Sequence, residues 1–181
     1  MMGTVSTWVA LLRGVNVGGI SIRNADLAEV FTALGFGSVR TVLASGNVVF
    51  EADAAASDRA KLTSKIEKAL RERFDYDAWI VLVTLGELTA AAEAFPFDDA
   101  DSSRQPWVIF CVDAATRDEL VKAAMDSDAE ADPVASGEGV VYWNPVKGTT
   151  VSTPFAKVLA KSAYRARTTN RNLRTLRRII G

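Results

Sequence analysis

The stretch Val39-Arg40-Thr41-Val42-Leu43-Ala44-Ser45-Gly46-Asn47-Val48-Val49-Phe50 decides the fold. Two short runs rich in β-branched residues flank Ser-Gly-Asn, and Gly and Asn tolerate the backbone a tight turn requires. The stretch therefore predicts a hairpin, with strands over 39–43 and 48–50. On its N-terminal side, Leu27, Val30, Phe31 and Leu34 recur at i, i+3, i+4 and i+7. That is one apolar helical stripe, with Asn24 as the expected cap and Gly35 as the stop. On its C-terminal side, Leu62, Ile66, Ala69 and Leu70 mark a second amphipathic helix over 57–73. Apolar runs at 8–12 and 79–83 complete the order β-α-β-β-α-β, the split βαβ or ferredoxin-like arrangement.

Beyond residue 84 the pattern restarts. Thr84 with Glu87 reads as a capping box opening a helix that Pro96 ends, and Asp98 to Gln105 is a polar, acidic loop. Trp107 to Val112 predicts a strand, and Thr116 with Glu119 a second capping box. Strands are expected near 133–135 and 140–143, around the turn Gly137-Glu138-Gly139. Thr153-Pro154 starts a helix, and a last helix is expected over 170–180, docked through Leu173, Leu176 and Ile180. The expected fold class is α+β with two α/β-sandwich subdomains. The first is a ferredoxin-like βαββαβ unit over 1–84. A helix and acidic linker follow over 85–105. The second, over 106–181, is a less regular βαββα version with a basic C-terminal helix.

Composition removes several chemistries. The 181 residues include one cysteine, Cys111, and no histidine. No Ser-His or Cys-His pair, imidazole zinc site or intrachain disulfide can be built. Residues 1–8 lack a basic segment before an apolar core, and no apolar run approaches the roughly 20 residues of a membrane span. The expectation is a cytoplasmic, non-membrane protein. The net charge of −1 hides an asymmetry: residues 1–138 hold 12 Lys and Arg against all 22 Asp and Glu, and residues 139–181 hold 9 basic residues and no acid. Such halves dock on each other, within the chain or across a homodimer, or one end meets a polyanion.

The candidate site begins at Arg13-Gly14-Val15-Asn16-Val17-Gly18-Gly19, a loop directly after the first strand. Its glycines free the backbone so that consecutive N–H groups can face an anion, beside the fixed charge of Arg13 and the amide of Asn16. The spacing is neither that of a Walker loop nor Gly-x-Gly-x-x-Gly, so no cofactor is read from it. In the split βαβ order the first and third strands are antiparallel neighbours. That places Ser45, Gly46 and Asn47 beside Arg13, Gly14, Asn16, Gly18 and Gly19 as a polar binding site. Asp98, Asp99 and Asp101 lack the Gly and distal Glu of a calcium loop, and no metal site is read there. Catalytic residues are not identified.

Leu12-Arg13-Gly14-Val15-Asn16-Val17-Gly18-Gly19 with Ser45-Gly46-Asn47-Val48-Val49-Phe50 resembles the signature pair of the bacterial "domain of unknown function 1697" family. Thr169-Asn170-Arg171-Asn172-Leu173-Arg174-Thr175 resembles that family's third motif, Thr-x-Arg-Asn-Trp-x-Thr, with Leu173 where the aromatic usually stands. The resemblance implies two ferredoxin-like parts and carries no activity. It directs attention to Thr169, Arg171 and Asn172, expected at the start of the last helix as further donors to the anion that Arg13 meets.

Three functional readings follow. The first is binding of an anionic or polar small ligand at the glycine-rich loop. The second is an enzyme in which Arg13 and Asn16 steady a phosphorylated or carboxylated substrate, with an Asp, a Lys or Tyr164 as acid or base. The third is weak, non-specific nucleic-acid binding through the basic C-terminal part, with Arg171, Arg174 and Arg178 on one helical face. An RNA-recognition sheet shares the strand order, but it needs an open face with spaced aromatics. The runs at 8–12, 79–83 and 107–112 are continuously apolar, which predicts strands covered on both faces.

Overall fold

The computed structural model describes residues 3–15 and 20–181. The chain divides into two compact units, Met1–Leu88 with Arg178–Gly181, and Thr89–Arg177.

The first unit contains β1 (Val5–Leu12), α1 (Asn24–Ala33), β2 (Gly37–Thr41), β3 (Asn47–Asp53), α2 (Arg59–Phe74) and β4 (Ile80–Thr84). Its sheet has the order β2-β3-β1-β4, with β1 antiparallel to both neighbours. The helical stripes read from the sequence are the buried ones. Leu27 and Phe31 of α1 and Leu62, Ile66 and Leu70 of α2 pack with Trp8, Ala10, Leu12, Val48, Phe50, Ile80 and Leu82 on one sheet face. Phe50 anchors this core between Phe31 and Phe36, with ring centroids 5.2 and 4.5 Å away. The alternate residues Val9, Leu11, Val49, Val81 and Val83 are buried as well. Asn24 does not cap α1. Arg23 occupies the cap position but its side chain pairs with Asp26 at 2.8 Å and does not cap the helix, and the Asn24 amide donates to the Leu43 carbonyl at 3.1 Å.

The second unit holds the rest of α3 (Leu85–Glu93), then β5 (Trp107–Cys111), α4 (Ala114–Ala124), β6 (Val134–Ser136), β7 (Val140–Trp143), α5 (Pro154–Leu159), β8 (Thr168–Asn172) and most of α6 (Leu173–Ile180). Its sheet order, β6-β7-β5-β8, repeats the order of the first. Leu120 of α4 and Phe155 and Leu159 of α5 pack with Ile109, Cys111, Val141 and Trp143. Val108, Phe110, Val140 and Tyr142 are also buried, and the Tyr142 hydroxyl donates to the Ala91 carbonyl at 2.7 Å.

Three expectations need correction here. Residues 168–172 form a strand paired with β5, so the second unit is a full βαββαβ followed by a shorter helix. The apolar contacts of α6 are Leu173, Leu176 and Ile179, all fully buried, while Ile180 is only partly covered. Helix α4 starts three residues earlier than the Thr116/Glu119 pattern suggested. Asp113 is the cap, accepting from the Thr116 amide at 2.8 Å, and Glu119 instead pairs with Arg167 at 3.0 Å.

Candidate functional site

The end of β1 and the turn before β3 are fastened together. Leu11 pairs with Asn47 in register, and the Leu12 N–H donates to the Gly46 carbonyl at 2.9 Å. The next amide, that of Arg13, donates to the Trp79 carbonyl at 3.1 Å. These two backbone donors are thus spent on the sheet. Gly14 has φ +75°, the left-handed conformation expected of a loop glycine. Gly46 has φ +77°, and a Cβ there would lie 2.8 Å from Cβ of Leu12. Glycine at 46 is what lets the two segments approach.

Asn47 holds the turn closed. It is fully buried, and its Nδ2 donates to the Val42 carbonyl and to Ser45 Oγ, both at 2.8 Å. The Val42 N–H returns a bond to the Asn47 carbonyl at 3.0 Å. Ser45 is exposed and Arg13 half-buried at the same sheet end. The structure therefore brings together Arg13, Gly14, Ser45, Gly46 and Asn47. Asn16, Gly18 and Gly19 lie outside the described residues.

The third motif lies in the second unit, and strand alternation divides it. Arg171 pairs opposite Val108 and Thr169 opposite Phe110, whereas Asn170 and Asn172 pair opposite Ile109 and Trp107. Thr169 and Arg171 therefore share one face of β8, and Asn172 belongs to the other. Arg171 is 6% exposed, and its Nη1 donates to Thr169 Oγ1 at 2.7 Å and to the Asn170 carbonyl at 2.9 Å. Burial pushes its pKa down to about 10, which leaves the guanidinium charged at neutral pH. The expected basic stripe of Arg171, Arg174 and Arg178 does not form, because Arg171 is in the strand. Asn172 Oδ1 accepts from the Arg174 N–H at 2.9 Å, which satisfies an open donor at the start of α6.

Other singled-out residues have local roles. Tyr164 donates to Glu119 at 3.4 Å, and burial together with that carboxylate raises its pKa. Burial pushes the Cys111 thiol up to about 12, far from nucleophilic range. Asp98 and Asp101 accept from backbone amides of their own loop, and Asp99 pairs with Arg177. No cluster of acidic or sulfur ligands suited to a metal ion occurs among the described residues. The sequence reading missed Asp132, which is buried and accepts from Trp143 Nε1 at 2.5 Å and from the Phe155 N–H at 3.3 Å. It lies in a polar, acidic run with no periodicity, so nothing local marks it.

Two consecutive βαββαβ units with a glycine-rich loop after the first strand define a class of α+β protein. The chain belongs to the family described as "Protein of unknown function (DUF1697)", whose model matches residues 5–142. A solved structure, that of the conserved bacterial protein SP0830 from Streptococcus pneumoniae, is similar in fold. It superposes with a TM-score of 0.79 at 22% identity over 97% of each chain. No curated protein matches.

Proposed function

We propose that this protein binds a small anionic or polar ligand at the end of β1, with Arg13 as its charged contact and the Ser45-Gly46-Asn47 turn as its wall. The observation that carries the reading is the Leu12–Gly46 backbone bond of 2.9 Å, which holds this wall against the segment leading into Arg13. A guanidinium, a hydroxyl and glycine backbone are hydrogen-bond donors of the kind that suits phosphate or carboxylate. Asn16, Gly18 and Gly19 extend the donor set in this reading. Among the described residues no helix is long and apolar enough to cross a membrane. With the deeply buried thiol of Cys111, that fits a reduced, cytoplasmic setting.

The test is a titration of the full chain with inorganic phosphate, followed by amide NMR shifts. The expected result is saturable shifts at Gly14 and Ser45, weakened at least roughly tenfold in Arg13→Gln, since a charge-assisted bond contributes about 1.5–3 kcal/mol. Identical titrations of the two proteins sink the reading.

A further inference from the structure

Strand β4 is the last strand of its sheet, and its register tells which of its backbone groups face outward. The Arg13 N–H donates to the Trp79 carbonyl, and Leu11 pairs with Val81 and Val9 with Val83. Hydrogen-bonded pairs recur at every second residue of an antiparallel ladder, so Trp79, Val81 and Val83 turn their N–H and C=O groups to β1. Ala78, Ile80, Leu82 and Thr84 turn theirs to the outer edge.

Along that edge, charged side chains stand where a fifth strand would. Arg71 Nη2 donates to the Ala78 carbonyl at 2.9 Å, and the Ile80 N–H donates to Glu67 Oε2 at 3.0 Å. Arg59 Nη1 donates to the Leu82 carbonyl at a looser 3.5 Å, and the Thr84 N–H donates to Glu87 Oε2 at 2.9 Å. Guanidinium meets carbonyl and carboxylate meets N–H in alternation, because the first only donates and the second only accepts. Arg59, Glu67 and Arg71 all belong to α2, which therefore runs antiparallel to the strand it covers. Arg59 also pairs with Glu87 at 2.6 Å, which ties this row to the first turn of α3.

We infer that this charged row is a latch that stops β4 from adding a strand, and that the strand it keeps away is β4 of a second copy of this chain. Trp79-Ile80-Val81-Leu82-Val83-Thr84 has no charge, glycine or proline, and four of its members are β-branched. Such a segment pairs with its like when its edge is bare. The pairing is self-complementary. About a two-fold axis at Val81, Ile80 of each copy faces Leu82 of the other, and both are outward residues whose N–H and C=O groups can be exchanged. That exchange needs the Ile80 N–H and the Leu82 carbonyl, the two groups that Glu67 and Arg59 occupy.

Glu67→Ala, Glu67→Gln and the double variant Arg59→Ala/Glu67→Ala test this in the full chain, with near-UV circular dichroism to confirm native packing. The first readout is amide hydrogen exchange in dilute solution. The Ile80 amide should exchange at least roughly tenfold faster in Glu67→Ala than in wild type, and within about threefold of wild type in Glu67→Gln, whose side-chain oxygen still accepts. The second is sedimentation velocity over a concentration series. Glu67→Ala and, more strongly, the double variant should form a species of twice the wild-type mass, in which the Ile80 and Leu82 amides become protected as concentration rises. Glu67→Gln should sediment as wild type does. An Ile80 amide indifferent to Glu67→Ala overturns the latch. Natively packed Glu67→Ala that never exceeds the wild-type mass overturns the pairing, whether or not the double variant folds. A heavier species that leaves the Ile80 and Leu82 amides exposed, or that Glu67→Gln forms equally, overturns it too.

Discussion

Gly46 and Gly14 have nearly the same backbone conformation, φ +77° and +75°, in different surroundings. At Gly14 an added Cβ meets nothing within 4 Å, so alanine there has only the left-handed backbone to contend with, about 1–2 kcal/mol. At Gly46 the same Cβ lies 2.8 Å from Leu12 Cβ and 3.4 Å from Val15 Cβ, and neither can swing aside, since both are buried. Gly46→Ala must therefore push the turn off β1 as well, and should lower stability by at least about 2 kcal/mol more than Gly14→Ala. Urea midpoints of the two variants decide this. Equal losses would mean that close approach is not the reason for glycine at 46.

Helix α3 shows what a short pattern can specify. The Glu87 N–H donates to Thr84 Oγ1 at 3.1 Å and the Thr84 N–H to Glu87 Oε2 at 2.9 Å, the reciprocal pair expected from the spacing. Thr84→Ala should cost about 1 kcal/mol in thermal or chemical unfolding. Burial alone would raise the Glu87 pKa, but the Arg59 guanidinium at 2.6 Å and the Thr84 bonds outweigh it and hold the carboxyl below its ordinary value. A depressed folded pKa contributes stability above the unfolded value, lost as pH falls through the folded one. The unfolding profile of Glu87→Gln should therefore be flatter than wild type below pH 4.5 and parallel to it near neutrality. The same Thr-x-x-Glu spacing at Thr116 and Glu119 was misleading, because the side chain that reaches the open donor is Asp113, and Glu119 is engaged by Arg167. Strand β8 was illegible for a related reason. Its sequence, Thr-Thr-Asn-Arg-Asn, has no apolar member, so alternation leaves no hydrophobic trace, and its pairing with β5 is a tertiary fact. The adjoining Asn-Leu-Arg-Thr-Leu pattern is truly helical, which drew the expected helix back over the strand. At the site, the neighbourhood of Arg13 and Ser45 was legible because it follows from strand order. The burial of Arg171 was not, because a charge gives no sequence signal of being withdrawn from water.

At the scale of the whole molecule, both units use the strand order second-third-first-fourth, and apolar residues on both faces of both sheets are buried. Continuous apolar runs made that readable in advance, and it removes the open aromatic platform that RNA recognition on such sheets requires. What remains for nucleic acid is the basic C-terminal part, and the structure reduces it. Of the nine basic residues in 139–181, Arg167 pairs with Glu119, Arg177 with Asp99, and Arg171 is buried. Both acids come from the acid-rich part before residue 139, so the charge asymmetry of the sequence is partly consumed by pairing inside the second unit. Lys147, Lys157, Lys161, Arg165, Arg174 and Arg178 stay exposed, spread over a loop, two helices and a turn. Six scattered cations attract a phosphate backbone only through counterion release, and that term falls steeply with salt. A fluorescence titration with a labelled single-stranded oligonucleotide should therefore show, at about 50 mM salt, at most weak binding that does not distinguish sequences, with a Kd no tighter than about 10⁻⁵ M, and none by about 200 mM. Lys157→Gln with Lys161→Gln should weaken any low-salt binding for all sequences alike, because contacts to phosphates position a protein without reading bases. Tight binding that survives 200 mM salt, or that discriminates between sequences, would show a nucleic-acid surface built from something other than these six charges.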